Sequence, residues 1–264
     1  MIHLRTQDEM DVIARGGTII GRLHAELASF VRPGVTTLEV DRFAEDFILS
    51  HDGAVAAFKG LYGFPGSVCI SVNEEVVHGI GSADRILQEG DIVSVDVGVR
   101  LEGWYSDSAR TFAVGEVSES AVALMDVTER SLEASIEAAV VGNHVGDIGA
   151  AVMSTVGGDG YGIIRELVGH GVGRELHEEP QVPNIGRAGH GPLLREGMVL
   201  AIEPMLSAGT ARIRTLEDGW TVVTADRSLS AHFEHTVGIT KEGPRVLTAA
   251  NAPAEAVTPI AGGA

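Results

Sequence analysis

"SVDVGVRLEGWYSDSARTF", residues 94–112, decides how the rest of the chain is read. The run Ile92–Val99 is rich in β-branched apolar residues and predicts a buried strand, yet Asp96 sits in its middle. A second acid, Asp107, follows on the segment that returns. Taking Leu101-Glu102 as a two-residue turn, flanked by Arg100 and Gly103, sets Asp96 directly opposite Asp107 on one face, about 5 Å apart at Cβ. Two ionised carboxylates that close repel each other, more so when partly buried. Either a cation lies between them or one keeps its proton. Arg110 is the basic residue on the returning segment, three positions from Asp107, so strict alternation turns it to the other face. One arginine would also serve two carboxylates poorly.

Other acids occupy similar places. "VLAIEPML" (199–206) puts Glu203 inside an apolar strand-like run, and "AHFEHTVGI" (231–239) puts Glu234 inside another. Alternation in the latter sets His232, Glu234 and Thr236 on one face. A lone buried carboxylate costs several kcal/mol unless it is paired or binds a metal. The chain has 264 residues and a formal net charge of −18, and its only lysines are Lys59 and Lys241. Four acids on strands with so little lysine call for metal cations. "VGHGVGRELHEEP" (168–180) adds His170, with a glycine on each side, and His177. Pro180 rules out a helix through His-Glu-Glu-Pro, so this is not the helical zinc-protease motif, and its glycine spacing is wrong for a dinucleotide loop. Asp96, Asp107, His170, Glu203 and Glu234 thus form a carboxylate-rich set with one histidine. Such a set suits two divalent ions, Mn, Fe(II), Co or Zn, which together activate water and stabilise a tetrahedral intermediate.

The remaining chain frames these segments. Hydrophobic residues make up 44%, enough for a sizeable core, and the acidic balance argues against nucleic acid or an anionic membrane as main partner. Cys69 is the single cysteine, so no internal disulfide forms and a reducing cytoplasm is the expected compartment. Neither a signal peptide nor a membrane span is expected. Helical periodicity predicts helices over 6–31, with Thr6 and Glu9 as a capping pair, from Thr36 or Thr37 to about Asp52, over 118–141 and over 145–156. Strand-like stretches fall at 54–58, 67–72, 91–99, 103–114, 161–168, 198–206, 219–224 and 232–239. Residues 251–264 read as a disordered tail. The order helix, helix, strands occurs twice. Val31, Val35 and Leu38 match Val141, Val145 and Ile148 at equal spacing, so the halves are either related by a pseudo-two-fold axis or alike by chance.

These residues, in this order, resemble the type I methionine aminopeptidases. The blocks "SVNEEVVHGI" (71–80), "SVDVG", "YSDSARTF", "GHGVGRELHEEP", "IEPML" and "HFEHTVGI" carry the resemblance, which runs from about residue 5 to about 248. It implies the α+β pita-bread (creatinase/aminopeptidase) fold, a pseudo-two-fold curved antiparallel sheet covered by helices. Residues 1–250 would be a single catalytic domain of two halves, about 1–115 and 116–250. The implied function is removal of the initiator methionine from nascent proteins whose second residue is small. The implied cofactors are two divalent ions (Co, Mn, Fe(II) or Zn). Asp96 would be a terminal ligand of one ion and His170 of the other, Asp107 and Glu234 would bridge, and Glu203 would ligate and move the proton of the attacking water. His78 would contact the scissile amide, and His177 the carbonyl oxygen as charge develops on it.

Phe58, Leu61, Phe64, Cys69 and Trp220 would line the pocket for the methionine side chain, though ordinary core packing accounts equally for Phe58 and Leu61. Cys69 reads as a wall residue rather than a nucleophile. Asn73 and Ser230 match positions near a monovalent-cation site in that family. The chain departs from the family at Tyr105-Ser106-Asp107-Ser108, where His-Gly-Asp-Thr is common, and at Leu61, near which an aromatic is common. Implied partners are nascent N-termini near the ribosome, with no nucleic acid, no membrane and a monomeric state. The competing readings are an Xaa-Pro aminopeptidase or prolidase, and a non-catalytic binding protein of the same fold. The first usually has an extra N-terminal domain, for which Asp96 lies too early; the second has generally lost ligands.

Overall fold

The computed structural model describes residues 1–158 and 160–250, so the expected tail, 251–264, lies outside the described residues. Two helices open the chain, α1 (Gln7–Phe30) and α2 (Thr37–Leu49). Each begins with a capping box. The Thr6 and Thr36 hydroxyls accept from the N–H three residues on, while the Glu9 and Glu39 carboxylates accept from the threonines' own N–H. Strands β1 (Ala54–Ala56), β2 (Cys69–Val72), β3 (Glu75–Val77), β4 (Ile92–Leu101) and β5 (Trp104–Ala113) follow. Helices α3 (Glu119–Ala138) and α4 (Val145–Val156) begin the second half. After them come β6 (Gly162–Ile163), β7 (Gly169–Gly171), β8 (Glu178–Val182), β9 (Val199–Ile202) and β10 (Met205–Ser207). The last are β11 (Ile213–Thr215), β12 (Val222–Thr224), β13 (Ser230–His232), β14 (His235–Thr240) and β15 (Gly243–Val246). Every strand pairing is antiparallel. The architecture is mixed α+β, with curved antiparallel sheets covered by helices.

Strand β4 anchors the first sheet, with β5 on one edge and β1 and β2 in succession along the other. Its valines pack under Ile20, Leu23 and Leu27 of α1 and Val40, Ala44 and Ile48 of α2. A second cluster joins α3 and α4 to the sheet β15-β14-β9-β7-β8 through Leu124, Ile148, Val152, Leu200, Val237 and Ile239. Among the described residues no helix is long and apolar enough to cross a membrane.

The central hairpin differs from expectation by its register. Leu101 pairs with Trp104, so the turn is Glu102-Gly103, with φ of 51° and 79°. Two left-handed residues make the mirror-image turn that matches strand twist, and glycine belongs in its second position rather than flanking it. Asp107 therefore faces Gly98, and Asp96 faces Ala109. The two aspartates remain on one face but diagonally, at the wider spacing of such pairs. A second correction concerns Glu203 and Glu234, which lie at breaks and not within strands. The pairing of His235 with Ile202 and of His232 with Met205 leaves two residues on each side between them, in unbroken register, so Glu203 stands across from Glu234. Pro204 has no N–H to continue the ladder. The Glu234 N–H instead donates to the carbonyl of Ala109 (2.9 Å). The stretch expected as a strand over 161–168 shortens to β6, and Leu167 and Val168 run on without ladder pairing.

Candidate metal centre and substrate pocket

The four acids and His170 arrive at one place from five parts of the chain. Asp96 comes from β4, Asp107 from β5 and His170 from β7, while Glu203 and Glu234 come from the two facing breaks. All five line one cavity of about 320 Å³. Asp107, His170 and Glu234 each offer a ligand atom within 4.8 Å of the other two. His170 Nε2 is 3.7 Å from Asp107 Oδ2 and 3.6 Å from Glu203 Oε1. On its other side, His170 Nδ1 donates to the carbonyl of Gly171 (2.9 Å), which leaves the Nε2 lone pair for the cavity.

Among the described residues no lysine or arginine lies within 4 Å of these carboxylates. Their electrostatics follow. Burial pushes the Asp96 carboxyl up to about 7, although hydrogen bonds from Asp107 and the Val97 backbone oppose the shift. Burial, and then the charges of Asp96 and Glu203, pushes Asp107 well above the carboxylate range. Glu203 and Glu234 rise for the same reasons, burial first and neighbouring acids second. Burial also holds His170 down to about 4, a neutral ring at physiological pH. Asp96 Oδ1, Asp107 Oδ1 and Glu234 Oε1 are buried without a hydrogen-bond partner. Unpaired carboxylate oxygens aimed into a shared cavity with a neutral imidazole are the donors a divalent cation requires. The residues fit the group.

The apolar end of the same cavity is built by a loop and two strands. Phe58, Leu61 and Phe64 come from the loop after β1, Cys69 begins β2, and Trp220 precedes β12. Phe58, Phe64, Cys69 and Leu176 are buried together, with Leu61 and Trp220 packed against them. Gly98 makes this wall possible, because a Cβ there would lie 2.5 Å from Phe58 Cε1. The Cys69 thiol is pushed well above its ordinary pKa by burial and then by Asp96, Asp107 and Asp41, so it is no nucleophile. His78 and His177 line the cavity at its rim. Burial lowers the pKa of both, with a further contribution from His177 at His78. The His177 ring stands edge-on to His170 (centroids 4.4 Å apart) and stacks under Tyr62. Asn73 and Ser230 do not reach this cavity. They meet each other, the Ser230 N–H donating to the Asn73 carbonyl (2.8 Å), and the Asn73 side chain donates to Asp91 (2.7 Å).

Sequence reasoning missed several residues of the cavity. His232, 2% exposed, has Nε2 3.8 Å from Glu203 and 3.9 Å from Glu234. Its alternation with Glu234 was the available signal. Tyr62, Val77, Leu167, Val168 and Leu176 complete the wall; Tyr62 lies in a single 3-10 turn, Leu61–Gly63, and Leu167, Val168 and Leu176 lie in irregular stretches whose sequence carries no periodicity.

A profile of metallopeptidase family M24 matches residues 11–241. The chain is 53% identical over 248 residues to the methionine aminopeptidase of Clostridium perfringens, covering 94% of this chain and 99% of that one. It is 46% identical over 248 residues to methionine aminopeptidase 1 of Bacillus subtilis, with the same two coverages. The crystal structure of methionine aminopeptidase from Thermotoga maritima superposes with a TM-score of 0.92 at 44% identity, over 94% of this chain and 100% of that one. Fold, site and family match define a metallopeptidase of the pita-bread class. Within it, the chain belongs to the type I methionine aminopeptidases, metal-dependent aminopeptidases that remove an N-terminal methionine.

Proposed function

We propose that this chain removes the initiator methionine from nascent proteins whose second residue is small, acting as a dinuclear enzyme. The observation that carries the reading is the junction of two chemistries in one cavity. Four buried carboxylates without a basic partner adjoin an apolar pocket walled by two phenylalanines, a tryptophan and a thiol. Asp96, Asp107, His170, Glu203 and Glu234 would hold two divalent ions, Co, Mn, Fe(II) or Zn. Bound there, such ions lower the pKa of water and polarise the scissile carbonyl. The protein's own groups do the rest. Phe58, Leu61, Phe64, Cys69 and Trp220 take the unbranched thioether and exclude water from it. Glu203, whose proton affinity is raised by burial and then by Asp96, accepts as a carboxylate a proton from the attacking water and passes it to the departing amine. His177 donates to the carbonyl oxygen as it gains charge, and His78 orients the scissile amide.

In this reading residues 1–250 are one catalytic unit whose halves divide near residue 115. It works as a cytoplasmic monomer on chains emerging near the ribosome, not on nucleic acid. Asn73 and Ser230 border a monovalent-cation site. The test is peptide release. Purified protein is stripped of metal, reloaded in turn with Mn, Co, Fe(II) or Zn, and offered Met-Gly-, Met-Leu- and Ala-Pro- peptides. Metal-dependent release of methionine from Met-Gly- alone is expected. Cleavage of Ala-Pro- would move the chain to the proline-specific branch, and absence of cleavage with two ions bound would make it a binding protein.

A further inference from the structure

The two oxygens of Glu203 face different imidazoles. Oε1 is 3.6 Å from His170 Nε2, and Oε2 is 3.8 Å from His232 Nε2. Each imidazole nitrogen also faces one further carboxylate, Asp107 Oδ2 at 3.7 Å from His170 and Glu234 Oε2 at 3.9 Å from His232. All four spacings are too long for hydrogen bonds. They suit two ligands of a common ion. With metal–nitrogen and metal–oxygen bonds of about 2.1 Å, adjacent ligand atoms lie between about 3.0 Å at a right angle and about 4.2 Å when opposed. His232 thus stands to Glu203 and Glu234 as His170 stands to Glu203 and Asp107. Its Nε2 is buried and has no hydrogen-bond partner, so ordinary core packing leaves that atom unexplained.

We propose that His232 is a second imidazole ligand of the metal centre, so that each of two ions takes one histidine. His170 would serve one ion and His232 the other, with Asp96, Asp107, Glu203 and Glu234 completing the two donor sets. The inference rests on the two-ion reading above. A second nitrogen in the donor set shifts preference toward the borderline ions Co, Zn and Fe(II) and away from Mn.

Paramagnetic NMR of the Co(II)-loaded protein tests this without reference to turnover. An imidazole bound to Co(II) through Nε2 shows a strongly shifted, solvent-exchangeable Nδ1–H signal. Two such signals are expected in the unsubstituted protein and one in His232→Gln or His232→Asn. Calorimetric titration should show the second equivalent of Co(II) weakened by at least about tenfold in these variants, with the first retained. One shifted signal in the unsubstituted protein, persisting in both variants, would overturn the inference and leave the metal centre standing. No shifted signal and no Co(II) uptake would overturn the metal-centre reading, and this inference with it.

Discussion

Replacing Asp96 by asparagine should stabilise the metal-free protein, and increasingly so as pH rises. Burial pushes the folded Asp96 carboxyl from 3.8 up to about 7. Between pH 4 and 7 the folded chain therefore keeps a proton that the unfolded chain has lost, and stability falls as pH rises across that window. Each pKa unit corresponds to about 1.4 kcal/mol, so three units amount to at most about 4 kcal/mol by pH 8. Asparagine keeps the shape and never ionises. The two proteins should match near pH 4 and separate by up to about 4 kcal/mol at pH 8, the variant being the more stable. The buried histidines, His24 and His232 held down to about 3 and His170 and His235 to about 4, add an opposite slope below pH 6.5. That slope is common to both chains and cancels in the difference. The assay is guanidinium unfolding in excess chelator at half-unit pH steps. Adding Co(II) at about a thousand times its Kd should close that gap at pH 8, since binding then adds about 4 kcal/mol to the unsubstituted protein. Parallel stability curves from pH 4 to 8 would refute the claim that Asp96 is held against its own charge.

Asp107→Ala removes a carboxyl that burial, Asp96 and Glu203 all disfavour in its ionised form. It should lower kcat/KM by a factor on the order of 10³ or more. Metal content by elemental analysis should fall below two per chain, and the unfolding midpoint of the metal-free protein should not drop. The Cys69 thiol should resist a disulfide reagent at pH 7.5 until the chain is unfolded, because burial and three nearby acids oppose the thiolate. Rapid stoichiometric reaction of the native protein would contradict this. Gly98→Ala drives a Cβ to 2.5 Å from Phe58 Cε1 and 2.9 Å from Ala57 Cβ. Steady-state kinetics should show KM for methionyl peptides rising about tenfold, from overpacking of about 1.4 kcal/mol, with metal content unchanged.

The features that local chemistry dictates could be read directly from the chain. Thr-x-x-Glu closes a capping box wherever it precedes an apolar helix face, and Thr6 and Thr36 both do. The hairpin register depended on a finer point. Either of two adjacent turn placements keeps Asp96 and Asp107 on one face, and only the demand for left-handed φ selects the one with Gly103 in its second position. The breaks at Glu203 and Glu234 were harder to see, since apolar runs on both sides imitate continuous strands. Pro204 was the local sign of the first; the second appears only when Glu234 donates to Ala109 on a different strand. His232 could be placed on the face of Glu234 from alternation. Its meeting with Glu203 required the pairing of two segments far apart in sequence. Leu167 and Leu176 reach the pocket from irregular backbone, where burial is decided by tertiary closure alone.

The acids repel one another, so something other than their side chains must hold them together. The backbone does. The Asp107 N–H donates to the Thr236 hydroxyl (3.0 Å), and that hydroxyl donates back to the Asp107 carbonyl (2.7 Å). The Ser108 hydroxyl donates to the Glu234 carbonyl (2.6 Å), and the Glu234 N–H reaches Ala109 (2.9 Å). Four short bonds thus tie the segment 107–109, which bears one carboxylate, to the segment 234–236, which bears the other, and none involves a carboxylate oxygen. The side-chain oxygens stay free for a cation while their spacing is fixed by groups indifferent to pH. This also explains how a serine suffices at position 108. The bond to Glu234 needs one hydroxyl, and the surrounding β5 backbone, paired along its whole length with β4, already supplies the rigidity a branched side chain would add. A site built this way keeps its geometry through loss and recovery of metal, and the repulsion remains available as binding energy for the ion that relieves it.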